Sequence, residues 1–195
     1  MNPEEIIDLV QDYTESEEIL EERRVVLNTD RDNYRDLLQT LWDEDIKHLS
    51  TITATDYGEK TEVIYHISTY DGIFLDLTVE IPDDDLEIQT ITDIYPSALL
   101  YEREINDLLG IDVLEHPEPG KLVLPDDWPE HKHPLKKGFY DYQKVVELDV
   151  SRIKELASDE DFDCEMMLEV EKETKDRKTL KEWLEKQIGE EEEEE

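Results

Sequence analysis

The fold of this chain is organised around one stretch, which reads Pro96-Ser97-Ala98-Leu99-Leu100-Tyr101-Glu102-Arg103-Glu104-Ile105-Asn106-Asp107-Leu108-Leu109-Gly110-Ile111. It predicts a short helix with a marked start and end. Ser97 is a suitable N-cap because its hydroxyl can accept from a free backbone N–H of the first turn, and Gly110 stands where a left-handed residue ends a helix. Apolar residues recur every three or four positions, which predicts a face buried against a sheet. This face consists of Ala98, Tyr101, Ile105, Leu108 and Leu109.

The polar residues of the same helix are expected to point away from that face. They are Glu102, Arg103, Asn106 and Asp107. Adjacent helical residues diverge by about 100°, so Glu102 and Glu104 do not face each other and no acid–base pair is predicted. We expect these charges to form ion pairs, either within the chain or across an interface.

A long proline-rich segment follows the helix and ends in a small basic island, residues 131–137. Its prolines exclude a regular helix or a central strand. They are Pro117, Pro119, Pro125, Pro129 and Pro134. An ordered loop of this length is usually functional, and partner contact is the function we expect. The His-Pro pairs at His116 and His133 predict turns whose rings either cap backbone carbonyls or contact a partner.

The residues before the helix predict a sheet with helices packed on it. Asn2-Pro3 starts one helix, and Thr29 or Asp30 caps a second. Strands are predicted at 23–27, 46–56, 62–70 and 73–81, with Asp71-Gly72 as a two-residue hairpin turn. The predicted fold is α/β (α+β): a mostly antiparallel four-stranded sheet covered by helices, followed by the extended proline-rich segment and an acidic C-terminal extension.

Four regions are predicted along the chain. Residues 1–110 form the α/β domain and residues 111–139 the extended partner-binding segment. Residues 140–189 form an acidic, partly helical extension, in which 145–156 and the amphipathic piece 179–188 are the predicted helices. The run of glutamates at 190–195 repels itself and is expected to be disordered.

The composition restricts the classes of partner. With 56 acidic and 20 basic side chains the formal net charge is −36, which opposes binding to nucleic acid or to an anionic membrane. The single cysteine, Cys164, excludes an intrachain disulfide and a cysteine-based zinc or iron–sulfur site made by this chain alone. The acidic N-terminus lacks an apolar run, so no signal peptide is expected, and no stretch is long enough to span a membrane.

Several of these residues together resemble a known family, the thirty-kilodalton subunit of respiratory complex I and of related membrane-bound [NiFe]-hydrogenases. The resemblance covers about residues 46–139. It is carried by Thr92-Asp93-Ile94-Tyr95-Pro96-Ser97-Ala98, by residues 102–111, by His116-Pro117, and by His133-Pro134-Leu135-Lys136-Lys137-Gly138-Phe139. The motif departs from the respiratory form at Leu109, Gly120, Lys136 and Gly138.

The resemblance implies a cofactor-free structural and assembly subunit in the peripheral electron-transfer arm of a complex I-related oxidoreductase. The extended segment would lie along a hydrogenase-like large subunit and near a small iron–sulfur subunit, and the iron–sulfur clusters would belong to those partners. The chain would reach the cytoplasmic side of the cell membrane only through partner subunits. The departures favour a ferredoxin-linked hydrogenase-type or sulfur-reducing ion-pumping complex. The alternative is an NADH- or other donor:quinone oxidoreductase.

No catalytic, cofactor-binding or metal-binding residue is assigned to this chain. The predicted partner interface consists of Glu102, Arg103, Glu104, Asp107, His116, His133, Pro134, Leu135, Lys136, Lys137 and Phe139. An alternative from another class is a stand-alone zinc-dependent enzyme that uses His131, His133 and a carboxylate, because His-x-His in a loop is a zinc-ligand pattern. A third is an acidic module that binds a basic protein.

Overall fold

The structure, a computed structural model, describes residues 1–129, 132–137, 142–158 and 162–191. It divides into two units, Met1–Lys136 and Lys137–Glu195. The first unit holds a five-stranded sheet with its own hydrophobic core, and the second is helical with a separate core. The predicted interface residues from Glu102 to Lys136 belong to the first unit, and Lys137 and Phe139 fall within the residue range of the second.

The sheet of the first unit has the order β1-β2-β5-β4-β3. Its strands are β1 (Ser16–Glu21), β2 (Arg24–Thr29), β3 (His48–Asp56), β4 (Lys60–Ser68) and β5 (Phe74–Pro82). Strands β2 and β5 are parallel and the other pairs are antiparallel. The mixed α/β class with a mostly antiparallel sheet is confirmed. The predicted strand number of four is wrong, because β1 adds a fifth strand whose six residues are all exposed and so show no apolar alternation.

Three helices belong to this unit: α1 (Pro3–Val10), α2 (Tyr34–Asp43) and α3 (Ala98–Leu109). Helix α1 begins with a complete capping box between Asn2 and Glu5. Apolar side chains of all three helices share one core with the alternate residues of β2, β3, β4 and β5. The β4–β5 connection turns at the predicted place, with Gly72 at a positive φ of 81°. The predicted length of two residues is wrong, because the Thr69 N–H donates to the Ile73 carbonyl and leaves three residues, Tyr70, Asp71 and Gly72, in the loop.

Helix α3 is where the prediction and the structure differ most. Ser97 precedes the helix, but its side chain makes no capping hydrogen bond, because Ser97 is itself helical and the Ala98 N–H donates to the Tyr95 carbonyl. The predicted end is correct, since Gly110 is left-handed and its N–H donates to the Asn106 carbonyl. The prediction that the polar residues point outward is wrong for Glu102 and Asp107, both of which are buried.

A second, two-stranded sheet flanks α3. It pairs β6 (Glu87–Gln89) with β7 (Asp112–Leu114) in parallel, and a short 3₁₀ turn at Asp83–Asp85 precedes β6. Strand β7 directly follows the Gly110 turn and returns the chain beside β6. The extended segment therefore starts from a fixed position next to the helix.

The described residues of the second unit form four helices around a core of their own. They are α4 (Tyr142–Val145), α5 (Val150–Leu156), α6 (Cys164–Glu173) and α7 (Lys178–Glu191). Cys164 is part of that core, and the fully buried Glu171 accepts hydrogen bonds from the Arg177 guanidinium and backbone N–H. The predicted tail lies outside the described residues from Glu192 onward. Within the described ranges, no helix combines the length and apolarity needed to span a membrane.

Candidate partner-binding site

Asp107 binds the loop that follows β7. Its Oδ2 atom accepts hydrogen bonds from three consecutive backbone N–H groups, those of Leu122, Val123 and Leu124, at 2.8, 2.7 and 3.1 Å. The side chain is buried, with 4% of the residue surface exposed. Burial alone would raise the pKa of Asp107, but these N–H groups and the nearby Arg103 charge together lower the pKa below its ordinary value. Asp107 is thus held as a carboxylate that fixes three loop residues.

Arg103, one helical turn earlier, binds the preceding residues of the same loop. Its Nε donates to the Gly120 carbonyl at 3.0 Å and its Nη2 to the Lys121 carbonyl at 2.7 Å. Side chains at positions i and i+4 lie on the same helix face, so Arg103 and Asp107 act side by side. Arg103 donates hydrogen bonds to backbone carbonyls, and Asp107 accepts hydrogen bonds from backbone N–H groups. Together they fix the backbone of residues 120–124, and we call this arrangement the loop clamp.

The loop clamp leaves apolar side chains on the surface. Leu122 is 40% exposed and Val123 is 52% exposed, although their backbone N–H groups are both bound. Lys121 is also held, because its Nζ donates to the carbonyls of Asp126 and Trp128. A fixed backbone that holds apolar side chains in water is suited to partner binding, since little conformational entropy remains to be lost on docking.

Glu102 faces the interior on the other side of the helix. It accepts hydrogen bonds from the Thr90 hydroxyl at 2.6 Å and from the Ile91 N–H at 2.7 Å, and only 2% of its surface is exposed. Burial raises its pKa, and the two hydrogen bonds and the nearby His116 and Arg35 offset that rise only in part. Glu102 therefore joins the start of α3 to the chain just before it and has almost no surface left for a partner.

His116 lies against both the helix and Glu102. The Glu118 N–H donates to His116 Nδ1 at 3.1 Å, so the ring proton is on Nε2, which donates to the Leu99 carbonyl at 3.1 Å. The same Nε2 is 3.7 Å from Glu102 Oε2. The ring of His116 thus holds the start of the extended segment on α3.

The far end of the segment returns to the C-terminus of α3. His133 Nδ1 donates to the Asp107 carbonyl at 3.0 Å, and the Leu135 N–H donates to the Leu108 carbonyl at 2.9 Å. The His133 ring lies so close to Gly110 that a Cβ there would be 2.6 Å from His133 Cδ2. Gly110 is thus required both by its φ of 74° and by this contact. Both histidines cap carbonyls, one of the two roles that the sequence predicted.

The remaining predicted interface residues that the structure describes are exposed or partly exposed. Lys136 Nζ is 2.7 Å from Asp83 Oδ1, Leu135 is exposed, and Glu104 is exposed without a hydrogen bond or ion pair to any described residue. Phe139, and His131 of the zinc alternative, lie outside the described residues. The part of the chain that the structure describes holds no group of three or more His, Cys, Asp or Glu that could bind a metal ion.

Sequence reasoning did not single out Leu122 and Val123. The available signal was the run Lys121-Leu122-Val123-Leu124-Pro125, three successive apolar residues in an otherwise polar, proline-flanked loop. The spacing of four residues between Arg103 and Asp107 also predicts that the two side chains lie on the same face of the helix.

The fold and the site define a class of protein: a mixed α/β domain that holds an extended segment on the polar side of its last helix. The sequence model of the family "Respiratory-chain NADH dehydrogenase, 30 Kd subunit" matches residues 27–144. The chain belongs to this family, as the signature residues indicated.

Relatives of known name are subunits of several membrane-associated complexes. The chain is 40% identical over 92 residues to a subunit of the F(420)H(2) dehydrogenase of Methanosarcina mazei, covering 44% of this chain and 58% of that protein. It is 32% identical over 118 residues to the beta subunit of the membrane-bound hydrogenase of Pyrococcus furiosus, covering 58% and 68%. The match thus spans little more than half of the first relative and about two thirds of the second.

Solved structures support the fold. A chain in the structure of the membrane-bound sulfane sulfur reductase, an archaeal respiratory membrane complex, superposes with a TM-score of 0.66 at 24% identity, covering 74% of this chain and 88% of that one. The trypsin-resistant fragment of Nqo5 superposes with a TM-score of 0.51 at 24% identity, covering 59% and 94%.

Proposed function

We propose that this chain is a cofactor-free structural and assembly subunit in the peripheral arm of a complex I-related membrane-bound oxidoreductase. Membership of the thirty-kilodalton subunit family supports this role, and so do relatives that are subunits of a hydrogenase and an F(420)H(2) dehydrogenase. In this proposal the iron–sulfur clusters belong to partner subunits. This chain holds those partners in place.

The loop clamp is the observation that carries the proposal. Five backbone groups of residues 120–124 are bound by two side chains of one helix, while Leu122 and Val123 remain half-exposed. A loop that only connected two elements would not need such fixation. We therefore propose that this loop, together with the exposed Leu135, docks on a hydrogenase-like large subunit and reaches the small iron–sulfur subunit.

A hydrogenase-type or sulfur-reducing complex is the form we favour. The relatives from Pyrococcus furiosus and the sulfane sulfur reductase support it, together with the departures at Leu109, Gly120, Lys136 and Gly138. The same role in an NADH- or other donor:quinone oxidoreductase is the second candidate, supported by 38% identity over 95 residues to a subunit of the NADH-quinone oxidoreductase of Ruegeria pomeroyi. In either case we place the chain on the cytoplasmic side, attached through partners.

Purification of the tagged chain from its native membranes in a mild detergent tests this proposal. Mass spectrometry of the co-purifying proteins should find a hydrogenase-like large subunit, a small iron–sulfur subunit and membrane subunits, in a stable ratio to the tagged chain. Metal analysis should find iron in the complex and none in the chain after its separation. Recovery of the chain alone, or of the chain with stoichiometric zinc, would contradict the proposal.

A further inference from the structure

A second surface of the first unit lies at the end of the sheet where the β4–β5 hairpin turns. A groove of about 440 Å³ opens there on the sheet, and its lining includes Glu21, Arg23, Arg24, His66, Phe74 and Asp76. None of these residues belongs to the loop clamp or to the extended segment. We call this surface the Arg23 groove.

The floor of the groove is held by polar contacts that cross four strands. Thr53 Oγ1 is 2.8 Å from His66 Nε2, and His66 Nδ1 is 2.7 Å from Asp76 Oδ1. Arg24 then binds Asp76 Oδ2 through Nε at 2.7 Å and Nη2 at 2.6 Å. Because these residues stand on β3, β4, β5 and β2, the contacts fix the neighbouring strands to one another. The groove is therefore preorganised.

The rim of the groove includes one exposed aromatic side chain. Phe74, the first residue of β5, lines the groove and is 57% exposed, and Tyr70 in the β4–β5 loop is 85% exposed. The Phe74 N–H donates to the Arg23 carbonyl at 2.8 Å, so the backbones of the two residues are joined. Exposed aromatic residues beside arginine are the composition typical of the energetic centre of a protein interface.

Arg23 supplies a positive charge that makes no ion pair with a described residue, although Glu21 also belongs to the lining. Its side chain lies over the hairpin turn, with Nη1 3.6 Å from the position of a Cβ on Gly72, and it has no hydrogen bond or ion pair with any described residue. By contrast, Arg31 is paired with Asp85 and Arg35 with Asp93. In a chain of net charge −36, a guanidinium without an ion pair to the described residues, beside an exposed aromatic ring, is suited to bind a carboxylate of another chain.

We propose that the Arg23 groove is a second docking surface, and that its occupant is a segment of another subunit that places a carboxylate on Arg23 and an apolar side chain against Phe74. This inference rests on the proposed function, since the assembled complex supplies the occupant. An aspartate, a glutamate or a chain-terminal carboxylate has the required chemistry, because each can accept two N–H groups of the guanidinium.

Carbodiimide cross-linking of the purified complex tests the proposal. The tagged chain with Arg23→Lys is purified from native membranes, and the reagent joins amines to carboxylates in contact. Lys60 is the internal control, since it contacts Glu62 and Glu80 of the same chain and should cross-link to them in every sample. We expect residue 23 to be joined to a carboxylate of a different subunit.

The outcomes separate this inference from the proposed function. If the complex is recovered and the Lys60 control forms, but residue 23 is joined only to its own chain, to a second copy of it or to nothing, the second docking surface is wrong and the proposed function stands. If no partner co-purifies with the chain, the proposed function is wrong, and the second docking surface that rests on it is wrong as well.

A double substitution in the groove adds an affinity readout. Arg23→Glu combined with Phe74→Ser should lower the amount of the cross-linked neighbour bound to this chain by about tenfold or more, as expected for the centre of an interface. Lys60→Glu is the matched control, since it makes the same charge change at the other end of the sheet and should leave binding within about twofold. Equal losses from both variants would contradict the proposal.

Discussion

Glu102 and Asp107 are both buried carboxylates of helix α3, but their surroundings differ. Asp107 has three backbone N–H donors and a neighbouring arginine, so its pKa lies below the ordinary value. Glu102 has two donors, one of them a neutral hydroxyl, and burial prevails, so its pKa is raised. Both residues are almost fully buried. The comparison teaches that the depth of burial and the number of donors together decide whether a carboxylate stays charged, since Glu102 lies deeper in the protein and has fewer donors than Asp107.

The two carboxylates also have different roles in the structure. Glu102 turns inward and joins the start of α3 to residues 90 and 91, which belong to the domain. Asp107 and Arg103 bind the loop at 120–124, which lies outside the domain core. We interpret the first carboxylate as part of the scaffold and the second as part of the surface that the scaffold presents.

Removal of the Asp107 carboxylate should have the largest effect. Asp107→Ala leaves three N–H groups without their acceptor, so we expect the free energy of unfolding of the purified chain to fall by about 2–4 kcal/mol. Urea unfolding followed by circular dichroism measures this change. Glu104→Ala is the control, because Glu104 is exposed and without a described partner, and it should change stability by less than about 0.5 kcal/mol. Equal losses of stability in Asp107→Ala and Glu104→Ala would mean that the Asp107 contacts of the loop clamp do not stabilise the fold.

Acid titration sharpens the same prediction. Since the folded state lowers the pKa of Asp107, its stabilising contribution is complete above the ordinary pKa of about 4 and is lost as the pH falls through the lower folded value. The stability difference between wild type and Asp107→Ala should therefore shrink as the pH is lowered below about 4. A difference that grows on acidification would contradict the assigned sign.

Loss of the Arg103 side chain should have an intermediate effect. Arg103→Ala removes two hydrogen bonds to exposed-loop carbonyls, so we expect a loss of about 1–2 kcal/mol in unfolding and faster amide hydrogen exchange at residues 121–124. Arg103→Lys should restore only part of the protection, because an ammonium cannot reproduce the planar fork that holds both carbonyls. Unchanged exchange in Arg103→Ala would show that Asp107 alone holds the loop.

Neutralisation of Glu102 should have the smallest effect. Glu102→Gln keeps an acceptor for the Ile91 N–H and removes a buried charge, so its cost should be well below that of Asp107→Ala. Because folding raises the pKa of Glu102, the contribution of this residue to wild-type stability is complete below the ordinary pKa of glutamate. That contribution is lost as the pH rises through the folded value. Glu102→Gln lacks that loss and should therefore compare more favourably with wild type at about pH 8 than at about pH 4, as urea unfolding at both pH values would show.

Much of the fold could be predicted because local chemistry agreed with the final structure. The period-two strands β4 and β5 and the Gly110 helix end depend on neighbouring residues and are present as predicted. The hairpin turn is at the predicted place but has three residues, because Thr69 and not Tyr70 pairs with Ile73. Strand β1 could not be predicted, because all six of its residues are exposed and it carries no buried apolar face.

The candidate site was harder to predict than the fold. From a helical projection, Glu102 and Asp107 belong to a polar face and should meet solvent. They are buried because distant segments, at residues 90–91 and 122–124, supply the hydrogen bonds that compensate their burial. Such long-range compensation leaves no local signal. The His-Pro turns were different, since the sequence predicted that their rings either cap carbonyls or contact a partner, and both rings cap carbonyls.

The exposed side chains of the loop clamp provide the most direct test of the central claim. The double variant Leu122→Asp with Val123→Asp leaves both clamping residues in place and should keep the fold, since both side chains are already half-exposed. Tagged wild type, this variant and the control Tyr57→Asp, which alters a half-exposed residue of the β3–β4 connection, are purified from native membranes, and the large subunit is quantified. We predict a loss of about tenfold or more for the double variant alone. Full recovery of the large subunit with the double variant would contradict the docking role of the loop.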